Sequence, residues 1–476
     1  MSADCRSNST AAERYRDRLT TADRRGRRIW MYPTSPRGKL HTARSVLAVF
    51  LLAFLFCAPL LRLNGEQLLL FSILKRKFVI FGLIFWPQDF HLFVLVAIAF
   101  VVFVVLFTVV FGRLFCGWIC PQTIFMEMVF RKIEFLIEGK AISRRKQLDQ
   151  RPLDLDKFLR KLAKHTIFFA ISFLVGNTFL AYIIGIDELI TIATDPPSQH
   201  LVGLSAMIGF SFLFYFVFGW FREQVCIMVC PYGRLQSVLL DSNSIAITYD
   251  KKRGEPRRPL AVGLTAESNG GDCIDCDACV RVCPTGIDIR NGTQLECINC
   301  TACIDACNRV MTRVSRPTGL IRYSSAAAID KGEGFRFTSR AAGYSAVLAA
   351  LLVIVFVLML NRTDIEAMVL RTPGTLYEQL DNGRIRNLYS LKLVNKTGRS
   401  RTVEIRLKQP NGSIMLVGEL SSIEPQQVIE SAFFVDIDTA KLFTTNNAIV
   451  IEVYVDNEFL KEVRASFLAP IKRSGQ

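Results

Sequence analysis

The chain has 476 residues, a formal net charge of +16, 51% hydrophobic residues and 11% aromatic ones. The length leaves room for about three domains, and the apolar content is high for a soluble protein. The basic balance alone would suit nucleic acid, but the charges are placed as a membrane topology places them, so no nucleic-acid partner is expected.

Residues 1–40 are polar and Arg-rich, and are predicted to form a basic tail against a lipid surface, with Cys5 incidental. The first apolar run starts too late and is too long for the h-region of a cleavable leader, so none is expected. Apolar runs follow at Ala43–Leu61, Phe90–Phe111, Thr166–Ile186, Leu201–Phe221 and Ala341–Leu360. Each approaches the ~20 residues that cross a hydrocarbon core. The one charge among them is Arg44, at the rim of the first. A single such run would also suit a buried core helix; five predict an α-helical membrane protein with five transmembrane helices. Cys57, inside the first, is expected to act as a small hydrophobe.

Charge sets the orientation. Arg24, Arg25, Arg27 and Arg28 precede the first helix, and Arg131, Lys132, Arg144, Arg145, Lys146, Arg160, Lys161 and Lys164 follow the second. The loop Asp187–His200 has no Lys or Arg, only Asp187, Glu188 and Asp195. By the positive-inside rule the N-terminus and residues 222–340 are cytoplasmic, while 187–200 and the C-terminal part are periplasmic. Lys75, Arg76 and Lys77 fit this poorly, and their segment, Gln67–Trp86, is expected to lie along the interface. None of the four histidines sits in mid-membrane, so no haem is predicted. His91 and His200, with Asp89 and Asp195, could meet a metal ion outside.

The second helix ends in F-G-R-L-F-C-G-W-I-C-P-Q and the fourth in F-G-W-F-R-E-Q-V-C-I-M-V-C-P-Y-G. The repeat is C-x3-C-P, giving Cys116 and Cys120 before Pro121, and Cys226 and Cys230 before Pro231. Cysteines at i and i+4 would share one helix face, with Cβ atoms about 6 Å apart. The four sulfurs then form either one site or two dithiols at one membrane depth. Thiolates suit Cu(I) and zinc, and Met126, Met128 and Met228 nearby favour copper. These cysteines are the predicted copper-facing, catalytic group.

Between residues 231 and 340 lies C-I-D-C-D-A-C-V-R-V-C-P, then C-I-N-C-T-A-C-I-D-A-C-N. Two C-x2-C-x2-C-x3-C runs form the bacterial ferredoxin pattern, in which the fourth cysteine of each run crosses to the other cluster. One [4Fe–4S] cluster is therefore assigned to Cys273, Cys276, Cys279 and Cys307, and the second to Cys297, Cys300, Cys303 and Cys283. A zinc ribbon uses two C-x2-C pairs, not four cysteines in a row. A disulfide framework needs an oxidising compartment, which the topology denies. After residue 360 the periodicity becomes two, in Leu388–Val394, Thr402–Leu407, Val428–Phe434, Ile449–Val455 and Leu460–Phe467. That predicts an all-β, immunoglobulin-like sandwich without cysteine or histidine. The expected segments are a tail (1–40), four membrane helices (41–230), a ferredoxin module (231–340), a fifth helix (341–360) and a periplasmic sandwich (361–476).

These motifs, together with WPQDF, YDKKRGEPR and RPTGLIRY, make the chain resemble the cytochrome c oxidase accessory proteins of the FixG/CcoG type. The resemblance runs from about Trp30 to the C-terminus, with Gly233 and Asn308 as local departures. It implies a bacterial inner-membrane protein that reduces Cu(II) to Cu(I) for assembly of cbb3-type cytochrome oxidase. The implied partners are copper chaperones, oxidase assembly factors and a cytoplasmic or quinol electron donor, with lipid around the helices and self-association open. A quinol-linked electron relay and a non-enzymatic assembly scaffold are the alternatives.

Overall fold

The computed structural model describes residues 21–470 apart from 23–24, 26, 64, 74–76, 86–89, 153, 260–269, 293, 295, 333–336, 362–364, 373, 375, 382, 398, 419–421, 426 and 443. Cys5, Arg24, Lys75, Arg76 and Asp89 thus lie outside the described residues. The chain divides into two compact units, Met1–Val355 and Phe356–Gln476. The first four membrane helices and the ferredoxin module, read from sequence as successive segments, belong to the first unit together, and the boundary falls within the fifth helix.

Five helices are long and apolar enough to cross a membrane: Lys39–Cys57, Phe90–Phe111, Leu155–Ile184, Leu201–Phe221 and Ser339–Leu360. Valine, leucine and phenylalanine are widely exposed on them, as lipid rather than water allows. The fifth buries only Ala341. The third begins eleven residues before its apolar run, at Leu155, where the Asp154 side chain accepts the Leu155 amide. That early start puts Lys161 and Lys164 on the helix itself.

Aromatic packing joins the spans. The Phe130 ring stacks on Phe218 at 4.6 Å and meets Phe168 edge-on at 4.8 Å. The segment after Cys120 is thereby fixed against the third and fourth helices, a contact type worth about 0.5–1.5 kcal/mol beyond area burial. Gln67–Trp86, read as interfacial, includes an antiparallel sheet of Leu69–Ser72, Lys77–Ile80 and Leu83–Phe85. Its Val79 is fully buried.

The second unit is the predicted sandwich. Gly412–Val417, Val428–Asp438, Arg384–Asn395 and Ile365–Arg371 form one antiparallel sheet in that order, with Glu378–Gln379 pairing on Arg384–Asn395. Val403–Gln409, Asn446–Val455 and Glu458–Leu468 form the other. Tyr389, Leu391 and Leu393 alternate inward against Phe433, Ile451 and Phe467, the period-two burial that one buried face of each sheet demands. The Tyr389 hydroxyl, which would otherwise be unpaired in that core, donates to the Ser466 carbonyl at 2.8 Å.

Candidate metal centres

Each cysteine run wraps a loop with the same backbone signature. Asp275 and Asp277 take φ of 49° and 53° around Cys276, and Asn299 and Thr301 take 52° and 65° around Cys300. Left-handed residues on both sides of the middle cysteine curl the chain about a point. Asp and Asn tolerate this locally; a β-branched Thr does so only under constraint. Arg290 holds the first loop, reaching Asp275 and Asp277 at 2.6 Å each and Asp288 at 2.7 Å. The second is held by Tyr323, whose hydroxyl donates to the Asn299 carbonyl at 3.2 Å.

The thiols fall into two groups. Cys307 interacts electrostatically with Cys273 and Cys276, and Cys279 with Cys307 and Cys276. Cys297, Cys300 and Cys303 each interact with Cys283. Cys283, Cys297, Cys300 and Cys303 also line a single cavity walled by Ile247, Ile287, Ile289 and Ile298, and Cys279 of the first group reaches both that cavity and Cys303. Burial pushes the thiols of Cys279, Cys297 and Cys307 up to about 12 and that of Cys300 to about 11. Ionised sulfur persists there only beside a cation. Among the described residues no three His, Cys, Asp or Glu side chains converge as a single ion requires. The C-x2-C-x2-C-x3-C spacing and the gathering of Cys283, Cys297, Cys300 and Cys303 around one cavity fit a [4Fe–4S] cube, and the two groups are the residues that would hold the clusters.

The membrane cysteines depart from the sequence reading in one respect. Neither pair lies on one continuous α-helix. Cys116 is in the short helix Leu114–Trp118, while Cys120 is extended (ψ 123°) and caps the helix starting at Pro121. Cys226 is in the π-helical turn Val225–Val229, and Cys230 (ψ 112°) caps the helix starting at Pro231. Proline has no N–H to continue a helix but suits its first position, so the second cysteine of each pair becomes a cap. The π-helical turns Phe125–Phe130 and Val217–Phe221 flank the pairs and Val225–Val229 contains Cys226, and such turns often mark functional sites.

The four sulfurs are nonetheless neighbours. Cys226 interacts with Cys120, Cys116 and Cys230, and burial pushes its thiol up to about 12. Burial also raises Cys116, to about 11, against the opposing hydrogen bond from Gln236 at 3.5 Å. Burial likewise raises Cys120, although the amides of Thr123 and Gln122 pull the other way.

Several functional residues were missed from sequence. A Cβ on Gly117 would come within 2.5 Å of the backbone oxygens of both Ile298 and Asn299. Only glycine lets the first membrane pair seat directly on the second cluster loop. Arg44, read as a rim charge, is buried and donates from Nε to the Gly117 carbonyl at 2.6 Å. It also lowers Cys300, against the larger effect of burial. Arg113 donates to the Gly233 carbonyl at 2.8 Å and acts electrostatically on both Cys116 and Cys297. Trp118 Nε1 donates to the Tyr323 hydroxyl at 3.0 Å. Asp305, between Cys303 and Cys307, accepts the amides of Leu40 and His41 at the start of the first membrane helix. The repeat held one usable signal: an arginine precedes each pair, Arg113 and Arg222, and both are buried.

Arg222, at φ 52°, pairs bidentately with Glu134 at 2.7 Å on both arms. Burial would raise Glu134, but Arg222, with Lys164 and Arg131, holds it at about 2. Of the other predicted groups, His200 pairs with Asp195 at 3.0 Å, without converging with a third ligand among the described residues.

Membrane-spanning helices that carry a two-group cysteine module on cysteine-bearing helix ends define a membrane electron-transfer protein of the ferredoxin type. Residues 221–326 match a 4Fe-4S dicluster domain, 93–146 a 4Fe-4S binding domain, and 355–470 the IG-like fold at the C-terminal of FixG. The nitrogen fixation protein FixG of Rhizobium meliloti is 31% identical over 458 residues, covering 86% of each chain. Protein RdxB of Cereibacter sphaeroides is 34% identical over 391 residues, 79% of this chain and 81% of RdxB. Protein RdxA of the same organism is 33% identical over 389 residues, 78% and 80% of the two chains. The chain belongs to the FixG family.

Proposed function

We propose that this protein delivers electrons to the cysteine group at its membrane helix ends and there reduces Cu(II) to Cu(I), for use in assembling a cbb3-type oxidase. The reading rests on the seating of Gly117 on Ile298 and Asn299, which puts Cys116 beside the loop of Cys297 and Cys300. Clusters bound in the two groups supply one-electron transfer. Arg113 and Arg44 place positive charge between the two sets of sulfurs and favour their ionised forms. Soft thiolates bind Cu(I) in preference to Cu(II), which makes copper the better acceptor at this site. The positive-inside charge pattern puts this end in the cytoplasm and the sandwich in the periplasm. Copper chaperones and oxidase assembly factors are the partners this reading implies.

The test is anaerobic. Cu(II) should reoxidise the chemically reduced protein, and replacing Cys116, Cys120, Cys226 and Cys230 together by Ser should abolish Cu(I) retention without loss of iron. Reoxidation at the parental rate in that variant would sink the proposal. A second reading has one observation in its favour: the 4Fe-4S binding match over residues 93–146 contains Cys116 and Cys120. If these cysteines hold a further cluster, the protein carries about twelve iron instead of about eight.

A further inference from the structure

The surface beside the first cysteine group is strongly positive. A groove of about 380 Å³ runs between the helices Ala278–Val282 and Ala302–Arg313 and the strap at Thr34–Arg37. Arg37, Lys140, Arg281, Arg309 and Arg313 line it, with no Asp or Glu in its wall. All five are exposed. The strap is pinned by the Thr34 amide, which donates to the Arg281 carbonyl at 2.8 Å, and by Arg309, which donates to the Arg37 carbonyl. Arg281 also donates to the Cys276 carbonyl at 2.8 Å, so the groove lies one hydrogen bond from a ligand of the first group.

In the larger cavity beside the third helix, Lys161 meets Glu138 and Asp149, and Lys164 meets Glu138. None of the five groove cations forms an ion pair with a carboxylate among the described residues. Five unpaired charges repel one another in a shared groove, an arrangement that an anionic surface relieves. Arg309 and Arg313 lie one and two turns beyond Asp305 on its helix face, and Asp305 caps the start of the first membrane helix. The charge therefore extends from the helix end along the cluster-bearing module.

We propose that this groove is the docking surface for a small acidic electron-carrier protein, which feeds the group containing Cys276 while the group containing Cys297 faces the membrane cysteines. The assignment of an electron carrier rests on the proposed electron-transfer function; the docking does not require copper as the acceptor.

The probe is an acidic plant-type ferredoxin, and the partner is the full chain in nanodiscs of neutral lipid, with binding followed by surface plasmon resonance. The wild type should bind at low ionic strength and release as salt rises. K140E/R309E/R313E should weaken binding by about tenfold or more at low salt, and the two should converge at high salt. K140Q/R309Q/R313Q should fall between them, and it replaces the reversal variant if that fails to fold. Unchanged iron content and unchanged copper-driven reoxidation after chemical reduction confirm that the cysteine groups of the variants are intact; a wild type that binds the ferredoxin but is not reoxidised by copper counts against the proposed function, not the groove. Ferredoxin binding that ignores both salt and the substitutions overturns the proposal. So does wild-type binding to phosphatidylglycerol vesicles, lost in the variants, without binding to ferredoxin, which assigns the groove to the lipid surface.

Discussion

Gly117→Ala is the sharpest perturbation of the proposed electron path, because it adds one methyl at the contact between the membrane cysteines and the second cluster loop. The new Cβ would stand 2.5 Å from two backbone oxygens, whereas ordinary contact begins at 3.4 Å. The loop or the short helix must therefore retreat by about 0.9 Å. Neither obstacle is a flexible side-chain end. Both are carbonyls of a loop fixed by Tyr323, and the Gly117 carbonyl is itself held by Arg44. Overpacking of this kind costs roughly 1–3 kcal/mol, so thermal unfolding should fall by several degrees, at about 2–4 °C per kcal/mol for a domain of this order. Gly343→Ala is the control, since nothing lies within 4 Å of that position. The assay is stopped-flow reoxidation of the dithionite-reduced protein by Cu(II), with iron measured on the same sample. Gly117→Ala should retain its iron, lose stability and reoxidise more slowly, while Gly343→Ala should match the parent. A Gly117→Ala protein with parental stability and parental reoxidation would refute the argument that electrons cross this contact.

The other predictions concern single groups. Arg222→Ala leaves Glu134 buried without its bidentate partner and should destabilise by roughly 3–5 kcal/mol, much of it restored in an R222M/E134L double variant, measured by thermal unfolding. Glu134 is held at about 2 against an ordinary 4.5, so its contribution of about 3 kcal/mol is complete above pH 4.5 and lost as pH falls toward 2; Glu134→Gln should flatten that part of the stability–pH curve. Cys283→Ser should deplete iron from the group of Cys297, Cys300 and Cys303 and spare the other, visible as a loss of half the cluster signal by electron paramagnetic resonance. Because burial raises Cys116 to about 11 and Cys226 to about 12, Cu(I) loading should release protons and tighten as pH rises from neutral; pH-independent affinity would mean that other atoms hold the copper.

What the sequence revealed divides along physical lines. The apolar runs were legible because lipid imposes length and composition directly, and the cysteine runs because a cluster needs its ligands on one tightly turning loop. The strand periods of the C-terminal unit were legible for the same local reason. The helical reading of C-x3-C-P failed because it took spacing alone and let the proline act only as an end marker. Proline does more: by starting a new helix it turns the preceding cysteine into a cap and swings the second thiol off the first helix. The early start of the third helix was hidden by its charged first turns, which carry no apolar run but are held by the Asp154 cap and by pairing with Glu138 and Asp149.

The contacts that couple the two cysteine systems were illegible for a different reason: they are made by backbone. Gly117 offers no side chain, and what makes it matter is the absence of a Cβ opposite the oxygens of Ile298 and Asn299, about 180 residues away in sequence. Arg44 and Asp305 likewise act on a carbonyl and on amides, not on partner side chains that a charge pattern could pair. Main-chain groups are the same at every position, so sequence cannot say which of them a distant residue will reach. They are also the least adjustable parts of the fold, because moving one displaces the loop or helix that contains it. Coupling the cluster loop to the membrane cysteines through backbone therefore fixes their separation more firmly than side-chain packing would, and a conserved distance is what a one-electron path between fixed sites requires. On this reasoning, substitutions at Arg44, Gly117 and Asp305 should alter transfer between the two sulfur groups while leaving each group's own metal content intact.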